Sequence, residues 1–374
     1  MYEDPAADPV GVLPPPPTSP PTVGRRPRRA WAWWLGGSVF VLVLVALVAA
    51  AFIRVPYVII SPGEATALDQ RVLQVGDASS DDPGHFLYLT VSVSNRDPNL
   101  YRYLFARLDP DASVQRKERL IGCAGYDESL RLGQEQMGQS QDAAKAAAMR
   151  RLGHEVGVER QQTLVIDVQC DGPSMGRIEL GDVIVAVDGT PVTAADDVRP
   201  LVVAHQPGDV ARFTVERAGE RRDVLVRLGS RDGEAFAGIL TQTDRRHQFP
   251  IDVEIDTARV SGPSAGLAFS LAIIDELTPG SVTGGRDVAV TGTISEDGAV
   301  GPVGGVAQKA VTAREAGARL MIVPRDEVRE ARNHAGGMKV VGVATLDDAL
   351  RTLARAGGAP VAASPIAAPS TAAQ

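Results

Sequence analysis

The chain has 374 residues, 44% of them apolar, with 38 basic and 46 acidic side chains and a formal charge of −8. That is enough chain for two folded domains with appendages. With no long basic run after residue 30, the charge pattern argues against nucleic acid as the main partner. Only four of the basic residues are lysines, Lys117, Lys145, Lys309 and Lys339, so a lysine inside a candidate site is more informative than usual.

Residues 1–30 are proline-rich, poor in large apolar side chains, and predicted to be a disordered tail ending in Arg25-Arg26-Pro27-Arg28-Arg29. Residues 31–53 carry no charge. As a helix they would reach roughly 34 Å, enough to cross a bilayer, with Trp31, Trp33 and Trp34 at the headgroup boundary. The arginines on the N-terminal flank predict a cytoplasmic N-terminus and an extracytoplasmic remainder. A cleaved signal peptide is the competing reading, with Ala49-Ala50-Ala51 as its cleavage site, but the apolar stretch exceeds a typical signal core.

In residues 54–155, Val55–Ile60 and Phe86–Val93 read as strands, 109–135 as polar and irregular, and Ser140–Leu152 as an alanine-rich helix. Residues 156–230 form a block of short strands and turns, in which Gly181-Asp182 and Asp188-Gly189 are turns around a Val183–Val187 strand. Residues 235–352 alternate strands (Ile251–Ile255, Asp287–Thr293, Leu320–Val323) with helices (Leu267–Leu277, Val306–Ala316). Residues 353–374 are rich in Ala, Pro and Ser and predicted to be flexible. Cys123 and Cys170 fit no metal spacing; they either pair outside the cytoplasm or stand as two thiols. No metal or cofactor is expected.

Two runs carry candidate chemistry. Gly262-Pro263-Ser264-Ala265-Gly266 puts a serine between small residues at a helix start, where backbone N–H groups lack intrahelical partners and can hold an oxyanion. Gly304-Gly305-Val306-Ala307-Gln308-Lys309 puts a lysine in the first turns of a helix. The positive end of the helix dipole and apolar neighbours lower its pKa, which suits a lysine that takes the serine proton. Arginine cannot do this. Taken alone, Ser264 reads equally well as a helix N-cap.

The run Gly172–Val192, with Gly181-Asp182-Val183-Ile184-Val185-Ala186-Val187-Asp188-Gly189 at its centre, resembles the PDZ domains of bacterial membrane and periplasmic proteases. The resemblance implies a module that takes an extended peptide end along a groove, or a PDZ fold used as a spacer. Gly262–Gly266, Thr291-Gly292-Thr293-Ile294-Ser295, Gly298–Ala310 and Ile322-Val323-Pro324 resemble the proteolytic domain of Lon proteases. That resemblance implies Ser264 as nucleophile, Lys309 as base and Thr291 as a supporting residue near the pair. Gly172-Pro173-Ser174-Met175-Gly176 is a decoy of the catalytic run, and Ser174 reads as structural.

The expected fold class is therefore α+β: a Lon-type proteolytic domain with an inserted PDZ-like module behind one N-terminal transmembrane helix. The insertion follows from Gly84–Thr90 and the Ser140–Leu152 helix, which resemble the opening strand and helix of a Lon proteolytic domain. With no G-x-x-x-x-G-K-[ST] loop, the resemblance is to membrane-anchored, PDZ-containing Lon-like proteases. It implies ATP-independent cleavage of unfolded or flexible chains and a homo-hexamer. Two rivals share these residues. One is an inert peptide-binding scaffold at the membrane. The other is an α/β-hydrolase-type esterase with Ser264 in G-x-S-x-G and His334 as its histidine.

Overall fold

The computed structural model describes residues 38, 40–42, 44–45, 48–76, 84–94, 96–121, 125–257 and 260–362. The predicted disordered tail 1–30 and much of the expected 31–53 anchor lie outside them, as does Cys123 and hence its pairing with Cys170. The chain divides into two units, residues 1–52 and 53–374. In the first, the described residues from Ser38 to Phe52 are helical, and Phe40, Leu42 and Phe52 are exposed. No helix among the described residues is long and apolar enough to cross a membrane.

The second unit is built on two sheets. One six-stranded sheet contains β1 (Tyr57–Ala67), β3 (Phe86–Val93), β4 (Ser113–Arg116), β14 (Val288–Val290), β17 (Leu320–Pro324) and β18 (Lys339–Val343), in the order β18-β17-β14-β3-β1-β4. β3, β14, β17 and β18 run parallel, and β1 is antiparallel to its neighbours β3 and β4. Successive side chains of a strand point to opposite faces, and the parallel strands β3, β14, β17 and β18 bury apolar side chains on both. Phe86, Tyr88, Val288, Val290 and Ile322 join one core with helices α3 (Tyr126–Arg151), α5 (Gly266–Leu277) and α8 (Leu346–Arg355). Leu87, Leu89, Ala289, Met321 and Val323 join another with α6 (Val306–Glu315) and α7 (Val328–His334). The sheet is therefore a buried middle layer, as parallel sheets are.

The second sheet contains β5 (Gly157–Val168), β6 (Val183–Val187), β8 (Val210–Arg217), β9 (Glu220–Arg227) and β12 (Ile239–Gln248), in the order β12-β5-β6-β8-β9. A short strand β7 (Thr190–Pro191) closes the predicted Asp188-Gly189 hairpin on β6, with both turn residues at positive φ, 49° and 80°. Helix α4 (Ala195–Val203) covers this sheet over its own core of Val165, Ile184, Phe213, Val215 and Val226. This core is separate from the two cores that flank the first sheet, which marks the second sheet as a domain of its own.

Several elements differ from the sequence expectation. Within 109–135, β4 and the long helix α3 form; the polar run 126–139, with Met137 buried in it, is the first half of α3, and the buried residues Ala144, Ala146, Ala147, Ala148 and Met149 come later. The PDZ-like sheet continues past 230. β12 is hydrogen-bonded to β5 from Ile239↔Val168 to Gln248↔Gly157, although its charged residues give no apolar alternation. At the C-terminus, residues 356–362 are packed rather than loose: Ala359 N donates to Ser281 O at 2.7 Å and Arg151 Nη1 to Ala362 O at 2.7 Å. The β3–β14 pairing, Phe86↔Val288 to Tyr88↔Val290, joins strands from either side of the PDZ-like sheet in one layer.

Candidate active site

The turn carrying Ser264 is held from two sides. From α3, Gly133 O accepts from Gly262 N at 2.7 Å, and Ser140 Oγ donates to Pro263 O at 2.8 Å. From the strand end after β14, Gly292 N donates to Ser264 O at 2.9 Å and Thr291 Oγ1 donates to the same carbonyl at 3.2 Å. Gly266 opens α5 where only a hydrogen fits: a Cβ there would meet Ser140 Oγ at 2.7 Å and Ile294 Cγ2 at 2.8 Å. The N–H groups of Ser264 and Ala265 have no hydrogen-bond partner among the described residues. Donors free at a helix start are what a developing oxyanion requires.

Lys309 comes to this turn from α6. Gly305 caps that helix in the left-handed conformation, φ 67°, and accepts from Lys309 N at 2.9 Å. The lysine is 2% exposed, between Val306 at 2% and Ala310 at 0%. Its Nζ lies 2.6 Å from Ser264 Oγ, a partner 45 residues earlier, and 3.1 Å from Thr291 Oγ1. Burial lowers its pKa from 10.5 to about 8, opposed by the carboxylate of Glu327. Glu327 itself accepts from Val303 N at 2.8 Å, in the run leading into α6, and burial pushes its carboxyl up.

Ser264, Lys309 and Thr291 are thus brought into one hydrogen-bonded cluster. Neutral Lys309 can accept the Ser264 proton across the 2.6 Å contact, which is the arrangement of an activated nucleophile and its base. His334 is not part of it. It ends α7, where its carbonyl accepts from Arg314, so the partner of Ser264 is a lysine, unlike the esterase reading. Ser174 is fully buried, and its hydroxyl donates to Ala237 O at 2.7 Å, in keeping with a structural serine. Among the described residues no cluster of His, Cys, Asp or Glu could hold a metal.

A second concave site lies where the PDZ resemblance implied a peptide groove, although its lining residues were not identified in the sequence. Between α4 and the edge strand β12 lies a groove of about 750 Å³, lined by Val198, Val202, Phe236, Gly238, Ile239 and Leu240. The sequence sign of that lining is the small and apolar run Ala235-Phe236-Ala237-Gly238-Ile239 before a charged strand. An edge strand beside an apolar groove can take an added peptide strand.

Residues 150–228 match the PDZ domain family, and residues 239–355 match the Lon protease (S16) C-terminal proteolytic domain. A Lon protease of Campylobacter concisus is 34% identical over 112 residues, 29% of this chain and 14% of that protein. A Lon protease of Phenylobacterium zucineum is 28% identical over 257 residues, 66% of this chain and 28% of that protein. The chain therefore spans less than a third of the length of these curated relatives. Among solved structures, the PDZ domain of an SdrC-like protein from Listeria innocua aligns at 21% identity and a TM-score of 0.21, covering 21% of this chain and 92% of that one. By the two family matches, residues 150–228 carry a PDZ-type domain and residues 239–355 a proteolytic domain of the Lon C-terminal, serine-peptidase type.

Proposed function

We propose that the chain is a serine endopeptidase that cuts unfolded or flexible polypeptides outside the cytoplasm without ATP, anchored by residues 31–53. Ser264 Oγ attacks the scissile carbonyl while neutral Lys309 takes its proton. The Ser264 and Ala265 N–H groups hold the oxyanion. Lys309 returns the proton to the leaving amine, and water then releases the acyl group by the same route. Thr291 keeps the amine aimed at the nucleophile and steadies the Ser264 carbonyl. The single observation carrying this reading is the 2.6 Å contact between a buried lysine and a serine at a helix start.

In the same reading the PDZ-like module is inserted into a split Lon-like domain, a view supported by the β3–β14 pairing across it. Its groove recruits an extended peptide end from the substrate or a partner. Homo-hexamer formation is carried over from the family resemblance.

The test is cleavage of casein by the full chain in detergent or lipid vesicles, without nucleotide, for wild type, Ser264→Ala and Lys309→Ala. Cleavage lost in both variants supports the dyad. Cleavage that survives Lys309→Ala but not His334→Ala returns the esterase-type arrangement. A wild type that binds peptides without cutting any substrate favours the scaffold reading.

A further inference from the structure

Helix α1 (Leu100–Leu108) lies in the second unit and leaves three large apolar side chains exposed. It is amphipathic in an inverted sense. Its inner side is held by buried Ala106 and by Tyr103, whose ring stacks on Tyr57 with centroids 4.8 Å apart. Its outer side presents Leu104, Phe105 and Leu108, which are 50%, 70% and 81% exposed. These three share an arc of about 100° on a helix. Exposed Arg102 and Arg107 flank the arc. An apolar strip of this kind on a water-facing helix needs a cover.

The backbone says what lies beside it. Leu100 N donates to Ile53 O at 3.0 Å, and Val55 N donates to Pro98 O at 3.0 Å. Arg54 and Asn99 pair in an isolated bridge, and Arg54 Nη1 donates to Asp97 O at 3.0 Å. The start of α1 is therefore stitched to the last residue of the uncharged stretch 31–53. Where that stretch crosses a bilayer, residue 53 emerges at the lipid surface and α1 emerges with it.

We propose that α1 is a membrane-docking helix, with Leu104, Phe105 and Leu108 sunk at the headgroup–acyl boundary and Arg102 and Arg107 reaching the phosphates. This rests on the reading of residues 31–53 as an anchor. A short amphipathic helix with apolar and aromatic side chains on one face and arginines beside them suits that interface, and long basic side chains can keep their charge in the headgroups while their stems lie along apolar surface. The nearby acids do not oppose it strongly. Asp97 is tied to Lys117 at 2.9 Å and to Tyr126 at 3.1 Å, and Asp111 lies 3.8 Å from Arg314. Only Asp109, at the helix end, is an exposed acid of this segment. Docking α1 fixes the second unit to the bilayer surface at its first residues, rather than leaving it to swing on the anchor.

The test uses the full chain in phosphatidylcholine–phosphatidylglycerol vesicles, with Trp31, Trp33 and Trp34 replaced by Phe and a single reporter indole introduced by Phe105→Trp. Matching proteins carry the reporter by Leu104→Trp or, as a control, by Leu225→Trp at an exposed position of β9. Lipids brominated near the glycerol end or near the methyl end of their chains serve as quenchers, and casein cleavage checks folding. The proposal expects loss of most of the emission from positions 104 and 105, more with the shallow bromines, and little loss from position 225. Unquenched emission accessible to aqueous iodide at 104 and 105 overturns it. So does equal quenching at all three positions, which is non-specific adhesion. Blue-shifted emission that neither quencher reaches, and that grows with protein-to-lipid ratio, overturns it in favour of a second copy covering the face. Alkaline carbonate extraction of the same vesicles separates the two readings. A chain stripped from the lipid sinks the anchor and the docking together; a chain retained but unquenched sinks only the docking.

Discussion

Ser140 donates its hydroxyl to the carbonyl of Pro263 at 2.8 Å, one residue before Ser264 and 123 residues along the chain. The helix that ends in the alanine-rich core segment thereby grips the turn bearing Ser264, and Gly133 takes Gly262 N one step earlier. Ser140 is 5% exposed, and its removal leaves Pro263 O with the longer, 3.4 Å bond from Gly266 N. Ser140→Ala is expected to lower casein turnover about tenfold, equivalent to ~1.4 kcal/mol. Because Lys309 is untouched, the midpoint of the pH–rate profile should stay in place. A shifted midpoint in steady-state assays across pH would show that Ser140 acts on the base instead.

With Lys309 as the proposed base, the rate is expected to depend on pH in a definite direction. Burial holds Lys309 at about 8 rather than 10.5, so the neutral, proton-accepting fraction rises through that pH. Turnover is expected to climb to a plateau above it. Lys309→Arg is expected to abolish cleavage at every pH, since a guanidinium does not give up its proton. Stability moves the same way. Between about 8 and 10.5 the unfolded chain carries a proton that the folded chain does not, so unfolding free energy rises with pH across that window. In Lys309→Met this part of the slope should vanish in denaturant titrations run at several pH values.

How far the sequence could be read depended on how local each determinant is. Val183–Val187 and Phe86–Val93 were legible to the residue, because an apolar run between turn signals fixes a strand without help from elsewhere. Ser264 and Lys309 were legible as a pair because each sits in a glycine-framed run at a helix start. Their 2.6 Å contact is tertiary and became visible only once α5 and α6 were placed on opposite faces of the sheet. The grip of Ser140 on Pro263 left no sign in the sequence, since a serine within an Ala-rich helix looks like any other helix residue. β12 was missed as part of the PDZ-like sheet for a different reason. Its Arg245, Arg246 and His247 break the apolar alternation, because two of them serve an ion cluster.

That cluster centres on Glu296, in the loop between β15 (Thr293–Ile294) and β16 (Val300–Gly301), a few residues beyond Thr291. Arg150 of α3 reaches Glu296 at 2.9 Å, Arg245 of β12 at 3.1 Å, and buried His247 lies 3.2 Å away. Burial alone would raise the Glu296 carboxyl, but His247 and the two arginines bring it down to about 2. The folded state therefore gains from this carboxylate above its ordinary value of 4.5, and the gain is lost as the pH falls towards 2. Glu296→Ala strands two arginines and a histidine between the two domains and is expected to cost about 2 kcal/mol. Thermal unfolding should show it, with the wild-type difference shrinking in acid.

Asp182 offers a test confined to the PDZ-like domain. Its side chain is 0% exposed and receives Arg217 in a fork, Nε to Oδ1 at 2.6 Å and Nη2 to Oδ2 at 2.7 Å, while Glu179 N donates to Oδ2 at 2.9 Å. The same carboxylate thus closes the turn before β6 and anchors the end of β8. Asp182→Asn keeps the volume but points an amide NH₂ at either the guanidinium or the Glu179 N–H, leaving a buried donor facing a donor. Breaking a buried pair of this kind is expected to cost about 3 kcal/mol. The PDZ-like core is separate from the two cores of the catalytic domain, so the loss should be local. In hydrogen exchange, amides of β6, β8 and β9 should lose protection while those of β14 and β17 keep theirs. Equal loss in both sheets would mean that the two domains unfold as one unit and that the Glu296 cluster couples them more tightly than their separate cores imply.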